Sequence, residues 1–192
     1  MKPFLKLTSA ILPLLVVAIG CSKVIPGQGN LFEGDNAAKA AAAIKAKAGT
    51  EKVNVIRVEI RPDKMEIVTQ SPTNPKEQDE FTYERGSASG PKPVQIHKVF
   101  AEHIPHTTEI GEINFAGLPA TIKRAIELAE SPGGKVDLVS MDNQYANTAT
   151  PSLKDSAEGK KWALTWRIFV QSSRIQNYFW ADKQGNLNEK AY

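Results

Sequence analysis

Apolar and polar positions follow two rhythms along the chain, and the same succession of rhythms runs twice. From Asn36 the run NAAKAAAAIKAKAG is dominated by alanine, which loses no side-chain entropy in a helix. Asp35 or Asn36 can cap its start, and Gly49 ends it. The next stretch, KVNVIRVEI (52–60), is rich in β-branched residues and reads as a strand. RPDK (61–64) turns the chain and MEIVTQ (65–70) returns. A polar loop (71–80) leads to a third strand, FTYERG (81–86). Glycine, serine and proline between 86 and 93 then predict a break.

The second round opens near Leu118, with Pro119 suited to a first helical turn. PATIKRAIELAES places Ile122, Ile126 and Ala129 on one stripe, and Pro132-Gly133-Gly134 stops the helix. KVDLVSM (135–141) follows as a strand. A polar insertion from Asp142 to Lys161 separates it from WALTWRIFV (162–170), after which Ser172-Ser173 turns the chain into RIQNYFWAD (174–182). EKVNVIRV (51–58) lies over GKVDLVSM (134–141), each reached by a short break after a helix. A three-stranded sheet needs one face covered, and its own helix can cover it. The expectation is an α+β fold of two consecutive helix-plus-three-stranded antiparallel meander units, with the helices packed on one sheet face. The units span 31–98 and 118–192, and a linker, 99–117, joins them.

The last hairpin allows its faces to be separated. A two-residue turn at Ser172-Ser173 pairs Gln171 with Arg174 and Trp166 with Phe179, so Val170, Ile168, Trp166 and Leu164 share an apolar face directed at the second helix. The other face pairs Arg167 with Tyr178, Phe169 with Gln176 and Thr165 with Trp180. Arg167, Phe169, Tyr178 and Trp180 are therefore the candidate binding face. Three readings stay open for it: burial between the two halves, a ligand or partner surface of the Trp, Tyr and Arg kind, or plain exposure. In the first hairpin, Ile60 with Met65 and Val58 with Ile67 form the core side. Arg57, Glu59, Glu66 and Val68 form a back that is expected to meet solvent.

The amino terminus has a different pattern. Met1 to Lys6 carry two lysines and no acid, and Leu7 to Ile19 are apolar apart from Thr8 and Ser9. This is the layout of a secretory signal, 1–20, too short and too interrupted by Pro13 for a spanning helix of roughly 20 apolar residues. The stretch Ala18-Ile19-Gly20-Cys21 resembles the lipobox of bacterial lipoproteins, with alanine where leucine is commoner in that family. The resemblance implies that the Cys21 thiol takes a diacylglyceryl group and that the peptide is cut before it. Two or three acyl chains hold a protein on a bilayer where one does not. Ser22 is the residue that outer-membrane lipoproteins commonly carry after the cysteine, so the implied place is the periplasmic side of the outer membrane. Residues 21–30 then form a lipidated tether. Their proline and glycines favour flexibility, and GQG lacks the strand and lysine of a phosphate loop.

FWADKQGNL (179–187) looks like the aromatic-Asp-x-x-Gly ending of PepSY-type modules. The tandem helix-plus-meander order is similar to PepSY-like and β-lactamase-inhibitor-protein-like architectures. That resemblance implies a periplasmic binding or inhibitory module and no catalysis.

Composition and charge narrow the function further. Hydrophobic residues make up 41% and charged residues 23%, a globular balance, and a net charge of +3 with scattered bases does not suit a nucleic-acid reader. His97, His103 and His106, with Glu102 and Glu109, are residue types that zinc prefers. Pro105 interrupts any helical ligand spacing, and the segment reads as linker. No Gly-x-Ser-x-Gly elbow occurs, and a lipidated Cys21 leaves no thiol nucleophile. The expectation is a lipid-anchored, non-catalytic binding module for another envelope protein or a ligand, with no cofactor and no resident metal. Its alternative is a metal-dependent or hydrolytic envelope enzyme using the histidines. Replacing Cys21 with serine is expected to abolish incorporation of radiolabelled palmitate, because a hydroxyl does not substitute for the thiol. Label entering the Cys21→Ser chain would contradict the lipobox assignment.

Overall fold

Local chemistry and tertiary packing together fix the elements in the computed structural model, which describes residues 29–98, 104–130, 133–142, 165–173 and 176–188. Helix α1 spans Asn36–Ala48 and stops at Gly49, whose φ of 68° belongs to the left-handed region and whose N–H donates to the Ala46 carbonyl. It buries Ala37, Ala40, Ala41 and Ile44. Helix α2, Leu118–Leu128, has proline in its first turn and buries Leu118, Thr121, Ile122 and Ala125. No helix among the described residues is long and apolar enough to cross a membrane.

The described residues form a mixed α/β fold with two α-helices and a single antiparallel sheet of eight strands. These are β1 (Asn54–Ile60), β2 (Lys64–Gln70), β3 (Gln78–Glu84), β4 (Ser87–Pro93), β5 (Thr108–Glu109), β6 (Lys135–Asp142), β7 (Thr165–Gln171) and β8 (Gln176–Ala181). Their order is β4-β3-β2-β1-β6-β7-β8, with β5 paired to the start of β1. The two meanders therefore do not form separate sheets. Their first strands pair with each other, Val58 opposite Met141 and Ile60 opposite Val139.

Strand β4 occupies the stretch where the sequence predicts a break. Arg85 and Gly86, at φ 53° and 79°, fold the chain back in a two-residue turn. The following glycine and prolines are tolerated because β4 is an edge strand, where a missing N–H costs no ladder bond. At Gly90 (φ 118°) a β-carbon would meet the Glu80 carbonyl oxygen at 2.8 Å, beside a bulge in the β3–β4 ladder. The first part thus has four strands after its helix, not three.

Both helices lie on one sheet face and share one apolar cluster with it. Ile44 of α1 and Leu118 of α2 join Val58, Ile67, Phe81, Met141, Trp166, Ile168 and Phe179. The described part of the predicted linker is no bystander. The Ile110 N–H donates to the Val53 carbonyl at 2.9 Å, Ile110, Ile113 and Phe115 are buried in the core, and the Phe115 ring meets Trp166 edge-on at 5.7 Å. On the opposite sheet face Arg57 is exposed and Glu59 and Glu66 are half-buried, whereas Val68, expected at solvent, is only 2% exposed.

Trp166, 1% exposed, is the largest fully buried side chain among the described residues. Truncating it to alanine removes its buried ring and leaves a cavity, so Trp166→Ala is expected to cost about 3–5 kcal/mol. An ordinary domain has roughly 5–15 kcal/mol in total. A urea melt measures the loss, and a variant within about 1 kcal/mol of the parent would contradict this placement.

Candidate functional site

The last hairpin closes two residues later than predicted. Gln171 pairs with Gln176, not with Arg174 across a two-residue Ser172-Ser173 turn. Serine lacks the easy positive φ that tight hairpin turns demand. The observed register also sets the large Trp166 opposite the small Ala181, with Phe179 opposite Ile168. A slip of two keeps every side chain on its face, where a slip of one would have inverted the hairpin. Trp166, Ile168, Val170 and Phe179 accordingly face the helices, and Arg167, Phe169, Tyr178 and Trp180 share the other face.

The new register changes who touches whom among those four. Phe169 is directly opposite Tyr178, with ring centroids 4.8 Å apart and planes 32° apart; Tyr178 and Trp180 are 6.2 Å apart at 38°. Arg167 is opposite Trp180, not Tyr178. Its guanidinium carbon nevertheless lies 6.0 Å from the Tyr178 ring centroid on the diagonal, at the edge of cation–π range. The Arg167 Nε donates to Ser140 Oγ at 3.2 Å, which ties the side chain to β6. Tyr178 is 43% exposed, and Phe169 and Trp180 are half-buried. Among the described residues the two halves stand side by side in one sheet, joined through their first strands.

A second constellation lies where β8 ends. Asp182 Oδ1 accepts from the N–H groups of Gln184 and Asn186, both at 2.9 Å, and Oδ2 accepts from the Asn186 side-chain amide at 2.8 Å. Partial burial pushes the Asp182 carboxyl up, but these hydrogen bonds together outweigh it and hold the group below its ordinary 3.8. The turn docks on α2. Thr121 Oγ1 donates to the Gly185 carbonyl at 3.1 Å, and Asn114 donates to the carbonyls of Lys183 and Gln184. Lys183 also pairs with Glu112. Gly185, at φ 91°, has no room for a β-carbon, which would come within 2.5 Å of Thr121 Oγ1. The aromatic-Asp-x-x-Gly stretch thus pins the end of the sheet to the second helix. Its partners Asn114 and Thr121 gave no signal in the sequence.

Cys21 lies outside the described residues, as do Glu102 and His103 of the histidine segment. His97 and His106 are exposed, and among the described residues no three metal-ligating side chains come together. A shallow depression opens elsewhere, lined by Gly29, Leu31, Pro62, Tyr83 and Arg85 where the chain enters the domain.

No family model matches the chain, and no curated protein matches it. Among solved structures it is similar to the crystal structure of a presumed lipoprotein from Clostridium difficile 630. The identity is 13%, the TM-score is 0.46, and the match covers 85% of this chain and 98% of that one. A likeness of that degree carries nothing over to this protein.

The Asp182 turn makes stability depend on acid. Because the folded carboxyl titrates below its unfolded value, its contribution is present above the ordinary 3.8 and is lost as pH falls through the lower folded value. Asp182→Ala is expected to cost roughly 1–2 kcal/mol at neutral pH. The gap between variant and parent should narrow in urea melts at progressively lower pH below that value. A gap that stays constant with pH would contradict the assigned role.

Proposed function

We propose that the protein is a lipid-anchored component of a bacterial cell envelope that works as a non-catalytic binding module, gripping another envelope protein through the β7–β8 face. The observation that carries this is the aromatic cluster itself. Tyr178 is 43% exposed, flanked by Phe169 and Trp180 with Arg167 on its diagonal, on the sheet face away from both helices. Tyrosine, tryptophan and arginine are the residues that concentrate binding energy at protein interfaces. A rigid strand pair presents them with little conformational entropy left to lose. The lipobox-like stretch ending at Cys21 supports the anchor, and Ser22 favours the outer membrane's periplasmic leaflet. On this reading the two rounds of helix and meander are repeats of one module of the PepSY-like kind, merged through their first strands.

Affinity capture from envelope extract, with the lipidated chain as bait, tests the reading. Tyr178→Ala should leave the urea midpoint nearly unchanged yet reduce recovery of a specific partner by about tenfold or more, the loss of one hot-spot side chain. Equal recovery with parent and variant, or a Tyr178→Ala chain that unfolds, would overturn it.

A further inference from the structure

Helix α1 carries charge of one sign. Asn36–Ala48 contains Lys39, Lys45 and Lys47 and no acid. Helical spacing sets the exposed Ala42 and Ala46 opposite the buried face, with Lys39 beside them and Lys45 and Lys47 on the two flanks. Asp35 pairs with Lys39 at 2.9 Å, but Lys45 and Lys47 have no acidic partner among the described residues. Glu33 and Glu51 stand beyond the two ends of the helix, and Lys52 follows. Helix α2 is different, because its exposed Lys123 and Arg124 are matched by Glu127 and Glu130, with Arg124 and Glu127 3.5 Å apart.

The chain places this helix close to the proposed anchor. Seven residues lie between Cys21 and Gly29, so the eight steps from one to the other span at most about 29 Å of fully extended chain. The domain then begins at once: Leu31 is buried, and its N–H donates to the Pro62 carbonyl at 2.7 Å. A lipid on Cys21 therefore lets α1 reach the bilayer surface, where unpaired lysines are attracted by anionic headgroups within roughly a Debye length. Alanine between the lysines lets the helix approach closely, and the lysine stems can reach past it.

We propose that α1 is the membrane-facing side of the domain. Its alanine–lysine surface lies against the phosphates of an anionic phospholipid layer, and the sheet face bearing Tyr178 points away from the bilayer. This orientation rests on lipidation of Cys21. It leaves the proposed partner surface unobstructed by the membrane, since both helices occupy the opposite sheet face.

The test uses the full lipidated chain in phosphatidylcholine vesicles with and without phosphatidylglycerol. Cys21 is the sole natural cysteine, so a thiol-reactive fluorophore reports on a single introduced site once Cys21 is acylated. With the label at Ala46→Cys, acrylamide quenching should fall roughly threefold when phosphatidylglycerol is included. High salt, or Lys45→Gln with Lys47→Gln, should restore the neutral-vesicle value. A label at Gln176→Cys should be quenched equally in both vesicles. Ala42→Cys gives a second reporter on the same helix face, should Ala46→Cys perturb folding. Equal quenching of the helix reporters in both vesicles, or selective protection of the Gln176→Cys label, overturns the orientation alone. Failure of the parent chain to take up palmitate overturns the anchor and the orientation together.

Discussion

The pairing of β1 with β6 is the constraint on which the rest of the structure depends. Arg57, Val58, Glu59 and Ile60 run antiparallel to Asp142, Met141, Ser140 and Val139, and through these four pairs two meanders become one sheet. Once joined in that register, Val58, Ile60, Val139 and Met141 must point to the same side. Both helices are then obliged to cover that side, and a single core runs from Phe81 to Phe179. Among the described residues, neither helix lies on the other side of the sheet. That is how a hydrophobic requirement at the seam leads to an aromatic surface on the next two strands, β7 and β8.

The Asp182 turn and the buried part of the connecting segment close the fold at its second helix. Asn114 and Thr121 hold the turn, and Phe115 rests on Trp166. Residues close to one another in sequence, 110 to 121, thus grip both the middle and the end of the second meander. The position of β8, and with it the placement of Tyr178 and Trp180, depends on this attachment as well as on the β7 ladder. A surface built on paired strands and fixed at the strand end is pre-organised, which suits recognition more than it suits a moving catalytic device.

Much of this was legible in the residues. Alanine density and Gly49 define α1, and RPDK sets Ile60 opposite Met65 and Val58 opposite Ile67, the pairs observed. The alternation in 165–171 and 176–181 separates the faces of the last hairpin correctly even though the register is off by two, because parity survives an even slip. What was not legible depends on partners distant in the chain. The glycine- and proline-bearing 87–93 makes a strand because β3 offers an edge. Ile110, Ile113 and Phe115 show no period, because they enter the core from a single 3-10 turn, Ile110–Glu112, and the loop that follows it. That the two meanders would share one sheet, and not face each other, is a choice between packings that strand patterns alone do not make.

The account's central claim is that the β1–β6 seam makes one cooperative body of the two halves. All three tryptophans, Trp162, Trp166 and Trp180, lie in the second half, whereas α1 supplies much of the helical signal from the first. Equilibrium urea unfolding followed on one sample by tryptophan emission and by far-ultraviolet circular dichroism compares them directly. The shared core predicts normalised curves that superimpose in a single transition. Two separated transitions, with the tryptophan signal lost while α1's helical signal persists, would contradict it.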